Sequence, residues 1–104
     1  AVIFTHGLTV NKESYAQYGM ELSRRGFVVI MPDMLNHGDS EIVGAETYFA
    51  PYTVSDAYGA YACVRYVKTL DYVDQTQIGV AGHSAGGQAS NNMVRSYSKP
   101  LLIF

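Results

Sequence analysis

The chain has 104 residues and a net charge of −2, and it is 48% hydrophobic and 15% charged. This length suits one domain with a substantial core, and the scattered Lys and Arg residues argue against a nucleic-acid partner or a basic membrane-binding patch. No apolar run approaches the length of a bilayer span, and the single cysteine, Cys63, excludes an internal disulfide framework and a multi-cysteine metal site.

Short β-rich runs alternate with helical runs along the whole chain. We predict strands at residues 1–5, 27–31, 76–82 and 100–104. We predict helices at residues 11–25, 53–70 and 85–97. Continuously apolar strands that alternate with amphipathic helices are typical of a parallel sheet with helices on both faces. The expected fold class is therefore α/β with three layers, as a single domain over residues 1–104.

The first predicted helix shows both a helical spacing and an end signal. Tyr15, Tyr18, Gly19 and Leu22 fall at positions i, i+3, i+4 and i+7, which predicts a helix with these residues on one face. Gly26 follows at the position where glycine commonly ends a helix.

We expect right-handed crossovers between the strands. We predict the order 2-1-3-4 for the four strands, in which the winding reverses between strands 1 and 3. The loops that leave the carboxyl ends of these two strands then open into the same crevice. One loop is His6-Gly7-Leu8 and the other is residues 82–86, so we expect the functional site between them.

Residues 82–86 read GHSAG and fit the pattern G-x-S-x-G at the end of a predicted strand. In this pattern a sharp turn projects the serine hydroxyl away from the backbone, which makes Ser84 the candidate nucleophile. Side chains at Gly82 and Gly86 would collide in such a turn. A helix begins here, so free amides and the helix dipole favour negative charge, and the N–H of Ala85 is expected to face a developing oxyanion.

A phosphate-binding glycine loop is the rival interpretation of this segment. It is disfavoured, because the sequence lacks the lysine of a GK[ST] loop and the spacing G-x-G-x-x-G.

Three motifs in chain order resemble those of the α/β-hydrolase family. The stretch IFTHGLTVNKESY resembles a family strand with its oxyanion loop, and RRGFVVIMPDMLNHGDSE resembles the next strand with its D…GHGxS turn. The stretch IGVAGHSAGG resembles the strand with the nucleophile elbow. The likeness covers nearly the whole chain, and the start of the chain is closest to dienelactone-hydrolase-like and esterase-like members. Asn36 departs from the family's usual glycine.

The resemblance implies a serine hydrolase that acts on carboxylic esters or related acyl compounds through an acyl-enzyme on Ser84. The backbone N–H groups of Leu8 and Ala85 would form the oxyanion hole. The residues expected to support the site are His6, Gly7, Gly82, His83 and Gly86. The expected partner is a small-molecule acyl substrate, with no metal, no organic cofactor and no nucleic acid. A peptidase or an acyltransferase with the same nucleophile, and a non-catalytic α/β binding module, stay open as alternatives.

Catalysis also needs a base beside Ser84 and a carboxylate that orients it. The family places both after the nucleophile, yet residues 85–104 contain no His, Asp or Glu. We expect His6 to fix its loop, His37 to lie in a turn, and His83 to point away from the Ser84 hydroxyl. The chain is therefore expected to be a truncated α/β-hydrolase domain that is inactive alone.

The remaining polar and aromatic candidates have structural interpretations. Asp33 and Asp39 are expected to cap a loop or turn rather than to act as the catalytic acid. Cys63 is expected to be an inert buried thiol. The aromatic residues of the loop 41–52 either wall an acyl pocket or pack that loop onto the following helix.

One helix is expected on one face of the sheet and two on the other. A parallel sheet is normally buried on both faces, so the single-helix face should make an isolated chain sticky, weakly stable or homo-oligomeric. We expect no membrane span and a cytoplasmic location.

Overall fold

The computed structural model describes residues 1–40, 58–96 and 102–103. The aromatic loop 41–52 and the predicted start of the second helix lie outside these residues. In the described part of the chain, no helix is both long enough and apolar enough to cross a membrane.

The described strands form one parallel sheet in the order β2-β1-β3-β4. The strands are β1 at Val2–Thr5, β2 at Val29–Ile30, β3 at Gly79–Gly82 and β4 at Leu102–Ile103. Strand β1 pairs with β2 on one side and with β3 on the other. Thr5 lies opposite Gly82 in this register, so the carboxyl ends of β1 and β3 lie side by side at the same end of the sheet.

Three α-helices accompany the sheet in the described residues, together with one 3₁₀ helix. The 3₁₀ helix is Lys12–Tyr15, and the α-helices are α1 at Ala16–Arg24, α2 at Tyr58–Val67 and α3 at Ala85–Ser96. The parallel sheet with these helices is the α/β architecture that the sequence predicted.

The first predicted helix differs from the expectation in its first turn, which is 3₁₀ rather than α. The hydroxyl of Ser14 donates a hydrogen bond to Asn11 Oδ1 at 3.0 Å and accepts one from the Asn11 N–H at 3.3 Å. Such local bonds offer the backbone an alternative to regular helix geometry.

The end of α1 follows the prediction. Gly26 has a φ of +92°, and the Phe27 N–H donates to the Leu22 carbonyl at 3.2 Å. This is the helix-ending motif in which glycine takes the left-handed conformation without a Cβ penalty.

The apolar core lies between the sheet and the helices α2 and α3. Ile3 and Val80 enter it from the sheet, Val64 and Val67 from α2, and Met93 from α3, and all five are fully buried. Cys63 packs at the margin of this core and is only partly buried, so the expectation of a buried thiol was too strong. Burial still raises the pKa of the Cys63 thiol.

The other face of the sheet carries α1, which packs against β2. Gly19 is the buried residue of α1, and Tyr18 is 52% exposed although its ring stacks on that of Phe4 in β1 at a centroid distance of 5.6 Å. An apolar groove of about 570 Å³ runs between α1 and the ends of β1 and β3, with Phe4 and Leu22 among its walls. Tyr18 is exposed because it lies along this groove, and association through this face stays a prediction.

Candidate active site

Ser84 lies on the turn between β3 and α3 and is exposed. Its φ of +56° falls in the left-handed region, which residues with a Cβ rarely adopt. Backbone bonds hold the turn on both sides: the His83 N–H donates to the Thr5 carbonyl at 3.2 Å and the Gly86 N–H donates to the His83 carbonyl at 3.0 Å. The turn therefore keeps a strained serine at the edge where β1 and β3 end.

The glycines at 82 and 86 are required by the close approach of β1. A Cβ at Gly82 would lie less than 3.0 Å from the backbone of Gly86 and from the Thr5 hydroxyl. A Cβ at Gly86 would lie less than 3.0 Å from the carbonyl oxygens of Thr5 and His6. Backbone atoms cannot swing aside as a flexible side chain can. The collision that the G-x-S-x-G pattern predicted has identifiable partners in β1.

Two buried hydroxyl groups brace this turn from inside, and sequence reasoning missed both. Thr5 Oγ1 donates to the Gly86 carbonyl at 2.7 Å, and Ser90 Oγ donates to the same carbonyl at 3.0 Å. The two hydroxyl oxygens lie 3.2 Å apart, and neither residue is more than 2% exposed. The available signal was a threonine at the end of an otherwise apolar strand and a serine six positions after the nucleophile.

The loop after β1 brings the second candidate amide to the same edge of the sheet. Leu8 is half-buried, and Gly7 lies so close to the turn that a Cβ there would be 3.4 Å from the His83 carbonyl oxygen. The amides of Leu8 and Ala85 have no backbone hydrogen bond within the described residues. For Ala85 this is the normal state of a first-turn helix amide. Neither amide is thus committed to a backbone acceptor in the part of the chain that the structure describes.

His6 is buried and fixes the β1 loop to the chain after β2. Its Nε2 accepts a hydrogen bond from the Met34 N–H at 3.0 Å, which leaves Nδ1 as the protonated nitrogen that donates to the Gly7 carbonyl at 2.7 Å. Burial lowers the pKa of His6; the Gly7 hydrogen bond opposes this, and the nearby His37 adds to it. The neutral ring therefore acts as a bridge between two loops.

The other two histidines are also engaged away from the nucleophile. His37 Nδ1 donates to the Leu35 carbonyl at 2.8 Å, and its Nε2 accepts from the Thr9 N–H at 3.4 Å. His83 Nδ1 lies 2.7 Å from the Tyr15 hydroxyl. Among the described residues, no histidine forms a hydrogen bond with the Ser84 side chain.

His37 also lies close to the β1 loop. Its ring centroid is 5.0 Å from that of His6. The Met34 N–H donates to His6 and the Thr9 N–H donates to His37, so the turn after β2 contacts the β1 loop and the two rings come together.

Asp33 organises the turn after β2 and joins it to the 3₁₀ helix. Its side chain is 4% exposed and accepts hydrogen bonds from the Lys12 N–H at 2.8 Å, the Asp39 N–H at 2.9 Å and the Lys12 ammonium. Burial would raise the pKa of Asp33, but these donors outweigh it and lower the pKa to about 2. Asp33 is thus a loop anchor that is ionised at neutral pH, and Asp39, 92% exposed, shares Lys12 with it.

Two backbone conformations let this turn close. Gly38 has a φ of +51°, and a Cβ there would collide with the Asp33 carboxylate. Asn36 has a φ of +63°, a conformation that asparagine tolerates better than most residues. Asn36 therefore adopts the left-handed conformation that this turn needs, although it replaces the family's usual glycine.

A family model described as the alpha/beta hydrolase fold matches residues 1–102. The chain belongs to the alpha/beta hydrolase family. A protein of Mycobacterium phage D29, provisionally named a non-heme haloperoxidase, is 35% identical over 86 residues. The uncharacterized protein YcjY of Escherichia coli strain K12 is 33% identical over 95 residues. These matches cover 83% and 88% of this chain, but 27% and 29% of the relatives.

A solved structure supports the fold of this chain. An extracellular alpha/beta-hydrolase from a Paenibacillus species aligns with a TM-score of 0.61 at 19% identity, over 98% of this chain and 36% of that protein. The chain thus spans about a third of this solved structure and less than a third of its curated relatives.

Proposed function

We propose that the protein is a serine hydrolase that cleaves carboxylic esters or related acyl compounds through an acyl-enzyme on Ser84. The observation that carries this proposal is the exposed Ser84 with its φ of +56° at the start of α3. A strained serine at a strand–turn–helix junction is the arrangement by which this fold presents a nucleophile. Membership of the alpha/beta hydrolase family supports the same interpretation.

In the proposed reaction, Ser84 Oγ forms a bond to the acyl carbon while its proton passes to a base. The carbonyl π electrons move to oxygen and give a tetrahedral oxyanion. When the oxyanion collapses, the bond to the leaving alcohol breaks and the alcohol takes the proton back from the base. Water then repeats the sequence on the acyl-enzyme, which releases the acid and restores Ser84.

The backbone amides of Leu8 and Ala85 are proposed to stabilise that oxyanion. Both lie on loops that leave adjacent strands at the same edge of the sheet, and both lack a backbone partner in the described residues. Ala85 is also the first residue of α3, where the helix dipole favours negative charge. Removing one such donor typically costs about 3 kcal/mol of transition-state stabilisation.

The base and its carboxylate partner are proposed to lie outside these 104 residues. His6, His37 and His83 are the only histidines of the sequence, and each is hydrogen-bonded away from Ser84. Asp33 is held ionised by Lys12 on the far side of β1. The small share of the curated relatives that this chain spans leaves room for both groups.

The test is hydrolysis of p-nitrophenyl acetate by the full-length protein. We expect turnover in the unmodified protein, a loss of at least about 10³-fold in kcat for Ser84→Ala, and no change for Ser23→Ala. Ser23 is an exposed serine on α1, so the control makes the same chemical change away from the turn. Equal rates for Ser84→Ala and the unmodified protein would refute the proposal.

The same assay distinguishes the alternatives. Turnover of peptide substrates above esters would favour a peptidase, and transfer of the acyl group to an added alcohol instead of water would favour an acyltransferase. No turnover of any acyl substrate would favour a non-catalytic binding module. A cytoplasmic location also stays a prediction, which fractionation of cells expressing the full-length protein would test.

A further inference from the structure

We propose that Tyr15 is a positioning residue for the reaction at Ser84. Through its hydrogen bond to His83, Tyr15 would hold the β1 loop and the serine turn at the spacing that the two oxyanion amides need. This inference rests on the proposed function and extends it to a residue that belongs to neither loop.

The contact that carries the inference joins the 3₁₀ helix to the serine turn. The Tyr15 hydroxyl and His83 Nδ1 lie 2.7 Å apart, and the two ring centroids are 5.5 Å apart. The backbone of His83 is also bonded to the end of β1 through Thr5 and to Gly86 at the start of α3. His83 is therefore hydrogen-bonded to the 3₁₀ helix, to the end of β1 and to the start of α3.

The same pair lies beside the loop that carries Leu8. A Cβ built on Gly7 would lie 3.4 Å from both the Tyr15 hydroxyl and His83 Nδ1, which is van der Waals contact, so the pair borders Gly7. A movement of either side chain would allow Gly7, and with it the next amide at Leu8, to shift.

Packing keeps the Tyr15 ring in place independently of its hydroxyl. Its ring centroid lies 5.6 Å from that of Phe4 on β1 and 6.1 Å from that of Tyr18 on α1. Replacement by phenylalanine would preserve these ring contacts and remove only the hydrogen bond to His83. The change therefore tests positioning with little disturbance of the core.

The expected effect is on kcat, because the two amides act on charge that develops only in the transition state. We expect Tyr15→Phe to lower kcat for p-nitrophenyl acetate about tenfold in the full-length protein, with KM changed less than about twofold. Tyr18→Phe removes a hydroxyl from the same aromatic cluster without touching His83, and should leave both constants unchanged. A Tyr15→Phe protein with more than half of the normal kcat would overturn the inference.

A second pair of variants separates positioning from simple packing. His83→Gln keeps a polar group that can bond the Tyr15 hydroxyl and should retain most of the kcat, whereas His83→Leu should lower it about tenfold, as Tyr15→Phe does. Equal kcat values for His83→Gln and His83→Leu would also overturn the inference.

The Ser84→Ala variant distinguishes a failure of the proposed function from a failure of the positioning role of Tyr15. If Ser84→Ala is as active as the unmodified protein, the proposed function fails. If it is inactive while Tyr15→Phe is normal, only the positioning role fails.

Discussion

Beside Ser84, Gly86 cannot be replaced by a larger residue without moving the backbone, because the atoms nearest to it are main-chain atoms. Gly86 approaches the carbonyl oxygens of Thr5 and His6, and Thr5 is held by the pairing of β1 with β3. We expect Gly86→Ala to lower the free energy of unfolding by about 2 kcal/mol or more, because an added methyl must displace that strand. Urea denaturation of the full-length protein measures the loss.

The matched control is the same substitution on another helix. Gly59 lies in α2, and among the described residues a Cβ there would meet only the Met34 sulfur, at 3.9 Å. Gly59→Ala should therefore stabilise the protein by up to about 1 kcal/mol, since alanine favours the helix over glycine. A Gly86→Ala protein as stable as Gly59→Ala would contradict the account of the close approach.

At the scale of elements, Asp33 joins the turn after β2 to the 3₁₀ helix that follows the β1 loop. Three donors converge on its carboxylate, which is nearly buried. We expect Asp33→Asn to lower stability at pH 7 by about 2 kcal/mol, because the amide cannot accept from all of them. Asp39→Asn, at a 92% exposed carboxylate on the same lysine, should cost clearly less.

The Asp33 contribution should depend on pH with a definite sign. Its pKa of about 2 in the folded chain lies below the ordinary value of 3.8, so the folded state is favoured while the group is ionised. The stabilisation is complete well above pH 3.8 and is lost as the pH falls from there to about 2. Urea titrations across this range should show the difference between the unmodified protein and Asp33→Asn shrinking. A constant difference would contradict the assignment.

Much of the framework of the site could be predicted from the sequence, because it depends on local patterns. The turn at Ser84 needs only a strand, a serine and two glycines within five positions, and Gly26 needs only the end of a helical stripe. The His83–Tyr15 bond spans 68 positions, and the Thr5–Ser90 pair spans 85. Such contacts depend on the register of β1 against β3 and on the angle of α1, which composition and periodicity do not contain.

The exposure of Tyr18 shows the same limit for packing. Helical spacing correctly indicated which side of α1 turns toward the sheet, as Gly19 shows by its burial. It did not indicate that α1 packs against β2 and leaves a groove beside β1 and β3. Periodicity gives the direction of a side chain, whereas its burial depends on which element lies opposite.

For the whole molecule, the account predicts that residues 1–104 alone do not form a working enzyme. None of the three histidines, all of which lie in the described residues, is hydrogen-bonded to Ser84, and we propose that the base lies outside residues 1–104. The isolated polypeptide should hydrolyse p-nitrophenyl acetate no faster than its own Ser84→Ala variant. A clear excess of the unmodified polypeptide over Ser84→Ala would show that a base is present within these residues.

Covalent labelling of the full-length protein with a fluorophosphonate, followed by mass spectrometry of its peptides, decides whether Ser84 is a nucleophile. An activated serine attacks this probe, whereas an ordinary surface serine does not. We predict one adduct, located on Ser84 and absent from Ser84→Ala, with Ser23, which is also exposed, unmodified. An unlabelled Ser84 in a folded full-length protein would contradict the claim that this turn presents a nucleophile.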